Sequence, residues 1–503
     1  MAKSQKRSPA AIAQELAGSL DLSDSSFVSA EAAGPYVNLR LDRNRLINRV
    51  LSEEPVFEQR SGTVVVDYSA PNIAKPIGIG HLRSTVIGGA LVRIFRRLGM
   101  TVVGVNYLGD WGTQFGKLIV AWRKWGSEEE LAAAPIKHLH ALYVRFHKEA
   151  EDDETLEQQG RDAFKQLEDG NADCRTLWER FRAASLVEFE KTYRQLGVSF
   201  DVVTGEAAYQ DKAQEAIAAC AGIASESDGA LVVELDGMPP LLLRKSDGAT
   251  LYATRDLAAA LDRIATYHPD SLLYVVGQEQ QLHFAQLFTV LGKLGFDGVG
   301  EHVSFGLYRF ADGKMSTRKG KSVLMEDVLD KAVALVREVI EQKNPSLADK
   351  ETVAQQVGVG AVIFADLSTD RARDVVFDWD KVLDFSGESG PYVQYTHARI
   401  RSVLRKAGSD GAVGDASLGE EEFRLARLLA AFPSRVTEAA DARKPHIICR
   451  YLLDLCQQYN QFYQNVRIIG SEQEQPRLAL CAKTADVLAQ GLSLLGIAAP
   501  EEM

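Results

Sequence analysis

The run TVVVDYSAPNIAKPIGIGHLRSTVIGGALVRIFRRLGMTVVGVNYL, residues 63 to 108, decides the fold. Its first seven residues, TVVVDYS, are β-branched and lie between Gly62 and Pro71, which predicts a buried parallel strand. Leu82, Val86, Ala90, Ile94 and Leu98 then recur every fourth residue, with Arg83, Arg93, Arg96 and Arg97 off that stripe. The pattern predicts an amphipathic helix starting near His81 and ended by Gly99. TVVGVNYL, residues 101 to 108, is a second strand, so the unit is βαβ. A right-handed crossover places the loop after the first strand at the carboxyl edge of the sheet, where open α/β folds hold ligands.

Outward from this unit, residues 1–60 form a short N-terminal module and residues 61–385 an α/β domain. A charged, Ala-rich stretch beginning near Ala121 predicts a helical insertion over about 121–230. Strand-like ALVVEL (230–235), LLYVVG (272–277) and VSFGLYRF (303–310) are expected to complete the second half of a doubly wound, Rossmann-like parallel sheet. From 386 to 503 the periodicity is helical throughout, which predicts an all-α bundle.

The chain of 503 residues is 46% hydrophobic and 25% charged, the balance of a folded globular protein. No apolar run reaches the length of a membrane span and the N-terminus lacks a secretory h-region, so a cytoplasmic protein without a membrane partner is expected. Cys174, Cys220, Cys449, Cys456 and Cys481 show no C-x-x-C spacing, and neither disulfides nor a zinc site are expected. A net charge of −12 argues against indiscriminate nucleic-acid binding. Residues 391–470 nevertheless carry 11 Lys and Arg against 8 Asp and Glu, a mildly basic region in an acidic chain.

Two loops carry phosphate chemistry. In SAPNIAKPIGIGHLRST (69–85), Pro71 and Pro76 hold the chain extended and Gly78 and Gly80 allow close backbone approach before a helix start. Free N–H groups there, with Lys75 and His81 as donors, suit a bound triphosphate. In ADGKMSTRKGKS (311–322), Lys314, Arg318 and Lys319 can neutralise charge that accumulates on the α-phosphate and pyrophosphate during nucleotidyl transfer. Either loop alone is commonplace, as a tight turn or a solvated cationic surface. Both together, in opposite halves of one doubly wound sheet, point to one nucleotide site.

The first loop resembles the H-x-G-H signature and the second the K-M-S-K signature of class I aminoacyl-tRNA synthetases. Around them PNIAK (71–75), GHLRST (80–85), GDWGTQFG (109–116), LYATRDLA (251–258), HFAQLF (283–288), KMSTRKG (314–320) and GPYVQYTHAR (390–399) resemble the arginyl-tRNA synthetases. The resemblance implies a ligase that uses ATP with Mg²⁺, L-arginine and tRNA(Arg), acting as a monomer, with no dedicated metal site. It implies ATP contacts from Gly78, Gly80, His81, His283, Lys314, Met315, Ser316 and Lys319, with His81, Lys314 and Lys75 catalytic. Asn72 and Glu206 would hold the amino-acid end, and Tyr252, Asp256 and Gln280 would line the guanidinium pocket, an acceptor-rich set suited to a forked cation. In the C-terminal bundle, Tyr392, Gln394, Tyr395, His397 and Arg399 combine aromatic planes and donors suited to unpaired RNA bases.

The sequence departs from the pattern in three places. The first signature reads Gly78-Ile79-Gly80-His81, without its first histidine, and Thr317 replaces the last lysine of the second. The segment ahead of Thr63 is shorter than the resemblance implies, although AGPYVNLRLDRNRLINRVL (33–51) resembles the end of a tRNA-contacting domain. Two rival readings are a tRNA-binding paralogue with a decayed site and a ligase that passes arginine to another acceptor. The acceptor-rich pocket argues against the first, and the helical C-terminal region against the second.

Overall fold

The computed structural model describes residues 6–23, 25–310, 323–413 and 418–503. The cationic run 311–322, with Lys314, Met315, Ser316, Arg318 and Lys319, therefore lies outside the described residues. At the N-terminus, helix Pro9–Ser19 packs on the antiparallel hairpin β1 (Phe27–Ala33) and β2 (Tyr36–Leu41). Mostly exposed strands leave no buried apolar run, so the sequence pattern gave no sign of this hairpin. Helix Arg43–Ser52, capped by the Asp42 carboxylate on the Arg45 N–H, leads to the central sheet.

That sheet is built from β3 (Thr63–Asp67), β4 (Thr101–Leu108) and β5 (Val202–Gly205). After a separate trio, β6 (Ala224–Ser227), β7 (Ala230–Val233) and β8 (Leu241–Arg244), it is completed by β9 (Ser271–Tyr274) and β10 (Gly300–His302). Its order is β10-β9-β3-β4-β5 and each neighbouring pair is parallel. Strand order reverses between β3 and β9, so the ligand crevice of a doubly wound sheet opens beyond Asp67 and Tyr274. Val64, Val65 and Val66 are buried on both faces, as a parallel strand covered by helices requires.

Two expected strands are reassigned. ALVVEL does not join the parallel sheet; β7 lies antiparallel between β6 and β8. VSFGLYRF contributes β11 (Tyr308–Phe310), which pairs in parallel with β12 (Val375–Phe377), apart from the main sheet. Conversely β5, a four-residue strand, falls inside the stretch expected to be insertion. The helical insertion thus consists of helices such as Pro135–Glu149, Thr155–Glu168 and Ala172–Gln195 and ends before Val202.

Helix Gly80–Arg97 forms where the periodicity predicts it, and Gly99 follows with φ +82°. It is not simply amphipathic. Helices Lys350–Leu367, Phe432–Ala442 and Glu474–Leu495 pack on its outer side, so residues all round it are buried, Arg83 included. A β-carbon at Gly88 would lie 2.3 Å from the Tyr68 side chain, so glycine is required there for helix and sheet to meet. Beyond residue 386 helices Gly390–Ala407, Glu420–Ala430, Phe432–Ala442, His446–Asn465 and Glu474–Leu495 form the expected all-α region. Glu474–Leu495 is long and apolar enough to cross a membrane, yet most of it is buried within this bundle. All five cysteines are buried and unpaired by disulfides.

Candidate active site

Four parallel strands deliver candidate site residues at their carboxyl ends. Asn72 follows β3, Gly109 and Asp110 follow β4, Glu206 follows β5, and Gln280 follows β9 through the turn Gln278–Gln280. Asn72 and Gly109 form a parallel bridge, with the Gly109 N–H donating to the Pro71 carbonyl at 3.1 Å and the Ile73 N–H to the Gly109 carbonyl at 3.2 Å. Contact is so close that a β-carbon at Gly109 would fall 2.1 Å from the Asn72 side-chain oxygen.

Asp110 sets the next turn. Its buried carboxylate accepts from the Ala207 N–H at 2.9 Å and from Arg182 Nε at 3.0 Å, the latter reaching in from the insertion helix Ala172–Gln195. Glu206, between Gly205 and Ala207, is thereby held toward the crevice. Its Oε2 accepts from Arg255 Nε at 3.2 Å and Nη2 at 3.1 Å. Burial pushes the Glu206 carboxyl up to about 7, opposed by Arg255 and reinforced by the nearby negative charge of Asp256.

Asp256 lies on helix Tyr252–Tyr267 beside Arg255, and its Oδ2 is 2.8 Å from His283 Nε2. The Tyr252 ring, more than half exposed, is centred 5.1 Å from the His283 ring. Glu206, Arg255, Asp256, His283 and Tyr252 thus form one contiguous polar wall, with exposed Gln280 just ahead of the helix that carries His283. His283, expected on the nucleotide side, is buried with its ring against Asp256. Beneath the wall, Asp67 and Arg263 form a buried ion pair at 2.7 Å, and the Arg263 guanidinium lies 5.1 Å from the Tyr107 ring and 5.6 Å from that of Tyr274.

On the other side of the crevice, His81 sits in the first turn of helix Gly80–Arg97 with Nδ1 3.3 Å from the Gly78 carbonyl, and burial lowers its imidazole pKa. The chain that leaves the cationic run docks here. Ile79 N–H donates to the Val323 carbonyl at 3.0 Å, Met325 N–H donates to the Ile77 carbonyl at 2.9 Å, and Gly78 bridges Leu324. A β-carbon at Gly78 would meet only the Val323 carbonyl oxygen at 3.7 Å, ordinary contact, so packing does not forbid a side chain where the signature histidine is missing. Lys75 turns toward the insertion, its ammonium 4.9 Å from the Tyr143 ring on helix Pro135–Glu149, and burial lowers its pKa.

Residues 44–379 match the family model of the class I tRNA synthetase (R) catalytic domain, residues 393–503 the DALR anticodon binding domain, and residues 1–41 the arginyl tRNA synthetase N terminal domain. The arginine–tRNA ligase of Exiguobacterium sibiricum is 50% identical over 517 residues, covering 100% of this chain and 92% of that protein. The chain belongs to the arginyl-tRNA synthetase family. Arginine–tRNA ligase 1 of Bacillus cereus is 49% identical with the same coverage. The Thermus thermophilus arginyl-tRNA synthetase structure superposes with a TM-score of 0.86 at 29% identity, over 100% of this chain and 93% of that one.

Within this arginyl-tRNA synthetase family member the five residues expected to read RNA separate into two groups. Gln394 and His397 are buried: Gln394 Nε2 donates to the carbonyls of Gln356 at 3.1 Å and Ala498 at 2.8 Å, and His397 Nδ1 to that of Pro500 at 2.9 Å. They anchor the C-terminal tail and present no surface to a base, which corrects the expectation for both. Tyr392 is half-buried and its hydroxyl accepts from Asn460 Nδ2 at 2.9 Å. Tyr395 is 40% exposed, with the Arg399 guanidinium 4.8 Å from its ring centre. Tyr395 and Arg399 line a groove with Arg405, Lys406 and Tyr463, three residues that no motif singles out. Asp110, Arg182 and Arg255 were also missed as site residues. Asp110 and Arg255 stand inside the recognised segments GDWGTQFG and LYATRDLA, so only their partners, not their positions, were hidden.

Proposed function

We propose that this chain is an arginine–tRNA ligase that activates L-arginine with ATP and transfers it to the 3′ end of tRNA(Arg). The observation that carries this reading is the pairing of Glu206, just past β5, with Arg255 on the helix that bears Tyr252 and Asp256, while Asn72 and Gln280 follow the neighbouring strands β3 and β9 and His81 opens the helix after β3. The arginine carboxylate attacks the α-phosphorus of ATP in line, the bond to the β-phosphate oxygen breaks, and pyrophosphate leaves. A ribose hydroxyl of the terminal nucleotide then attacks the adenylate carbonyl and AMP departs with the bonding pair. Asp256 and Tyr252 hold the guanidinium, Gln280 supplies a further acceptor, and Asn72 and Glu206 hold the amino-acid end.

His81, Gly80 and the loop at Gly78 receive the triphosphate at the helix N-terminus, with Lys75 and the 314–319 cations as the remaining positive charge. Mg²⁺ enters with ATP as part of the substrate, bound by phosphate oxygens and water. Among the described residues no group of three His, Cys, Asp or Glu is arranged to hold a metal. Tyr395 and Arg399 offer a stacking plane and a cation to unpaired RNA. A monomeric, cytoplasmic enzyme of translation is the corresponding reading for its state and location. The test is charging of total tRNA with labelled arginine and ATP by the parent and by Asp256→Ala. Charging by the parent that drops by on the order of 10²-fold or more in the variant supports the reading; a parent that neither charges tRNA nor exchanges pyrophosphate sinks it.

A further inference from the structure

Asn72 and Glu206 follow different strands, yet one helix of the insertion braces the backbone beside both. On helix Ala172–Gln195, Trp178, Arg182 and Ser185 are spaced i, i+4, i+7 and so share one face. Toward Glu206, Arg182 Nε donates to Asp110 Oδ2 at 3.0 Å and the Trp178 indole N–H donates to the Asp110 backbone carbonyl at 2.7 Å. Asp110 Oδ1 in turn accepts from the Ala207 N–H at 2.9 Å, and a β-carbon at Gly205 would lie 2.3 Å from Oδ2. The turn Gly205-Glu206-Ala207 is therefore seated on the Asp110 carboxylate. Toward Asn72, the Ala74 N–H donates to Ser185 Oγ at 2.8 Å, and that hydroxyl donates to the Phe181 carbonyl at 2.7 Å. Ala74 has φ +62°, a left-handed conformation that a residue other than glycine keeps only where its surroundings hold it. Ser185 is fully buried and Asp110 is 1% exposed, so neither contact has solvent at hand to replace it.

A buried carboxylate beside a guanidinium is a poor source of net stability, because desolvation cancels most of the attraction. What these contacts fix is place. One rigid helix meets the chain just after β3, through Ser185, and the turns after β4 and β5, through Arg182 and Asp110, so the two turns cannot drift apart independently. Charge alone acts in the opposite sense: a guanidinium near the site repels a cationic amino acid, and deleting it would favour arginine. A loss of arginine binding on deleting Arg182 therefore reports position.

We propose that Arg182 and Ser185 are positioning residues for the amino-acid end of the substrate: through Asp110 and Ala74 they hold Glu206 and Asn72 at the separation an α-amino group requires, which makes the insertion helix part of the amino-acid site. The inference rests on the reading that Asn72 and Glu206 hold that end of arginine. It is tested by steady-state pyrophosphate exchange with tRNA present, with KM for arginine and for ATP measured separately, on Ser185→Ala, Arg182→Leu, Glu206→Gln and the double variant Arg182→Leu with Glu206→Gln. A displacement of about 1 Å can cost on the order of 10²-fold, so Ser185→Ala and Arg182→Leu should each raise arginine KM by roughly ten- to a hundredfold, with ATP KM within about twofold of the parent. If Arg182 acts through Glu206, the double variant has no higher arginine KM than Glu206→Gln alone. Glu206 is faced by Arg255 and Asp256 on helix Tyr252–Tyr267 and by Asp110 and Tyr107 on and after β4, so losing the charge that neutralises Asp110 also makes Glu206 hold its proton to higher pH. Arginine KM is therefore compared at about pH 7 and about pH 9: a rise present at both reports position, and one confined to the lower pH reports charge. A parental arginine KM in either single variant of the helix, arginine and ATP KM values that rise together, multiplying losses in the double variant, or a rise confined to the lower pH overturns the proposal. A parental arginine KM in Glu206→Gln instead overturns the reading beneath it. Should Arg182→Leu fail to fold with Asp110 left unpaired, Ser185→Ala, which removes one oxygen and no charge, decides the question by the same arginine and ATP KM values.

Discussion

Glu206 shows how one residue carries opposed demands. Burial holds its carboxyl near 7, above the ordinary 4.5, with Arg255 pulling it down and Asp256 pushing it up. The folded state therefore keeps a proton that the unfolded chain releases, and the carboxyl subtracts stability as pH rises from about 4.5 through about 7. Glu206→Gln should accordingly melt higher than the parent at about pH 8, with a difference that shrinks toward about pH 5. A gap of equal size at both pH values in calorimetry would show that the charge is not the cause. The charged form is the one that attracts a cationic amino acid, so arginine KM in the parent should fall as pH rises through about 7 while ATP KM does not follow it. The residue types were legible from LYATRDLA and from Glu206 as the resemblance placed it. The pairing of Glu206 with Arg255, 49 positions away, was not, because it is set by β5 and helix Tyr252–Tyr267 meeting in space.

At the scale of elements, close approach separates structural from functional glycines. Gly109→Ala would press on the side-chain oxygen of exposed Asn72, which can swing away into solvent. That variant should melt near the parent but raise arginine KM by about tenfold or more, since the displaced amide no longer meets the substrate. Gly88→Ala meets the buried Tyr68 ring, which has no such escape, and should cost about 1–3 kcal/mol in urea unfolding. Equal effects of the two changes on stability would contradict this distinction. Helix Gly80–Arg97 was readable because its pattern is long and periodic, and β3 because its unbroken β-branched run is bounded by Gly62 and Pro71. β5 is only four residues long, and β7 is a β-branched run whose partner strands no local pattern names, so one was overlooked and the other assigned to the wrong sheet.

Across the whole molecule, the C-terminal tail is part of the bundle. Gln394 and His397 donate to the carbonyls of Ala498 and Pro500, and Arg401 pairs with Glu501 at 2.7 Å. Removing residues 498–503 leaves His397 Nδ1 without its acceptor, at about 1–3 kcal/mol, and Gln394 Nε2 with the Gln356 carbonyl alone. The truncated chain should show a clear drop in Tm, and an unchanged melt would return Gln394 and His397 to the list of free recognition groups. Across the same interface, the helices beyond residue 386 cover the outer side of helix Gly80–Arg97, and Lys444 reaches Asp370 at 2.7 Å near the base of β12. Residue type and local spacing alone made the β3–helix–β4 unit, the doubly wound class and the helical C-terminus legible. Three-dimensional packing is what joins Val323 and Met325 to Ile79 and Ile77, sets His283 against Asp256, and buries Arg83 beside Asp366. Each of those depends on which distant segments share a low-dielectric interior, where an unpaired polar group is costly, and no local pattern records its partner.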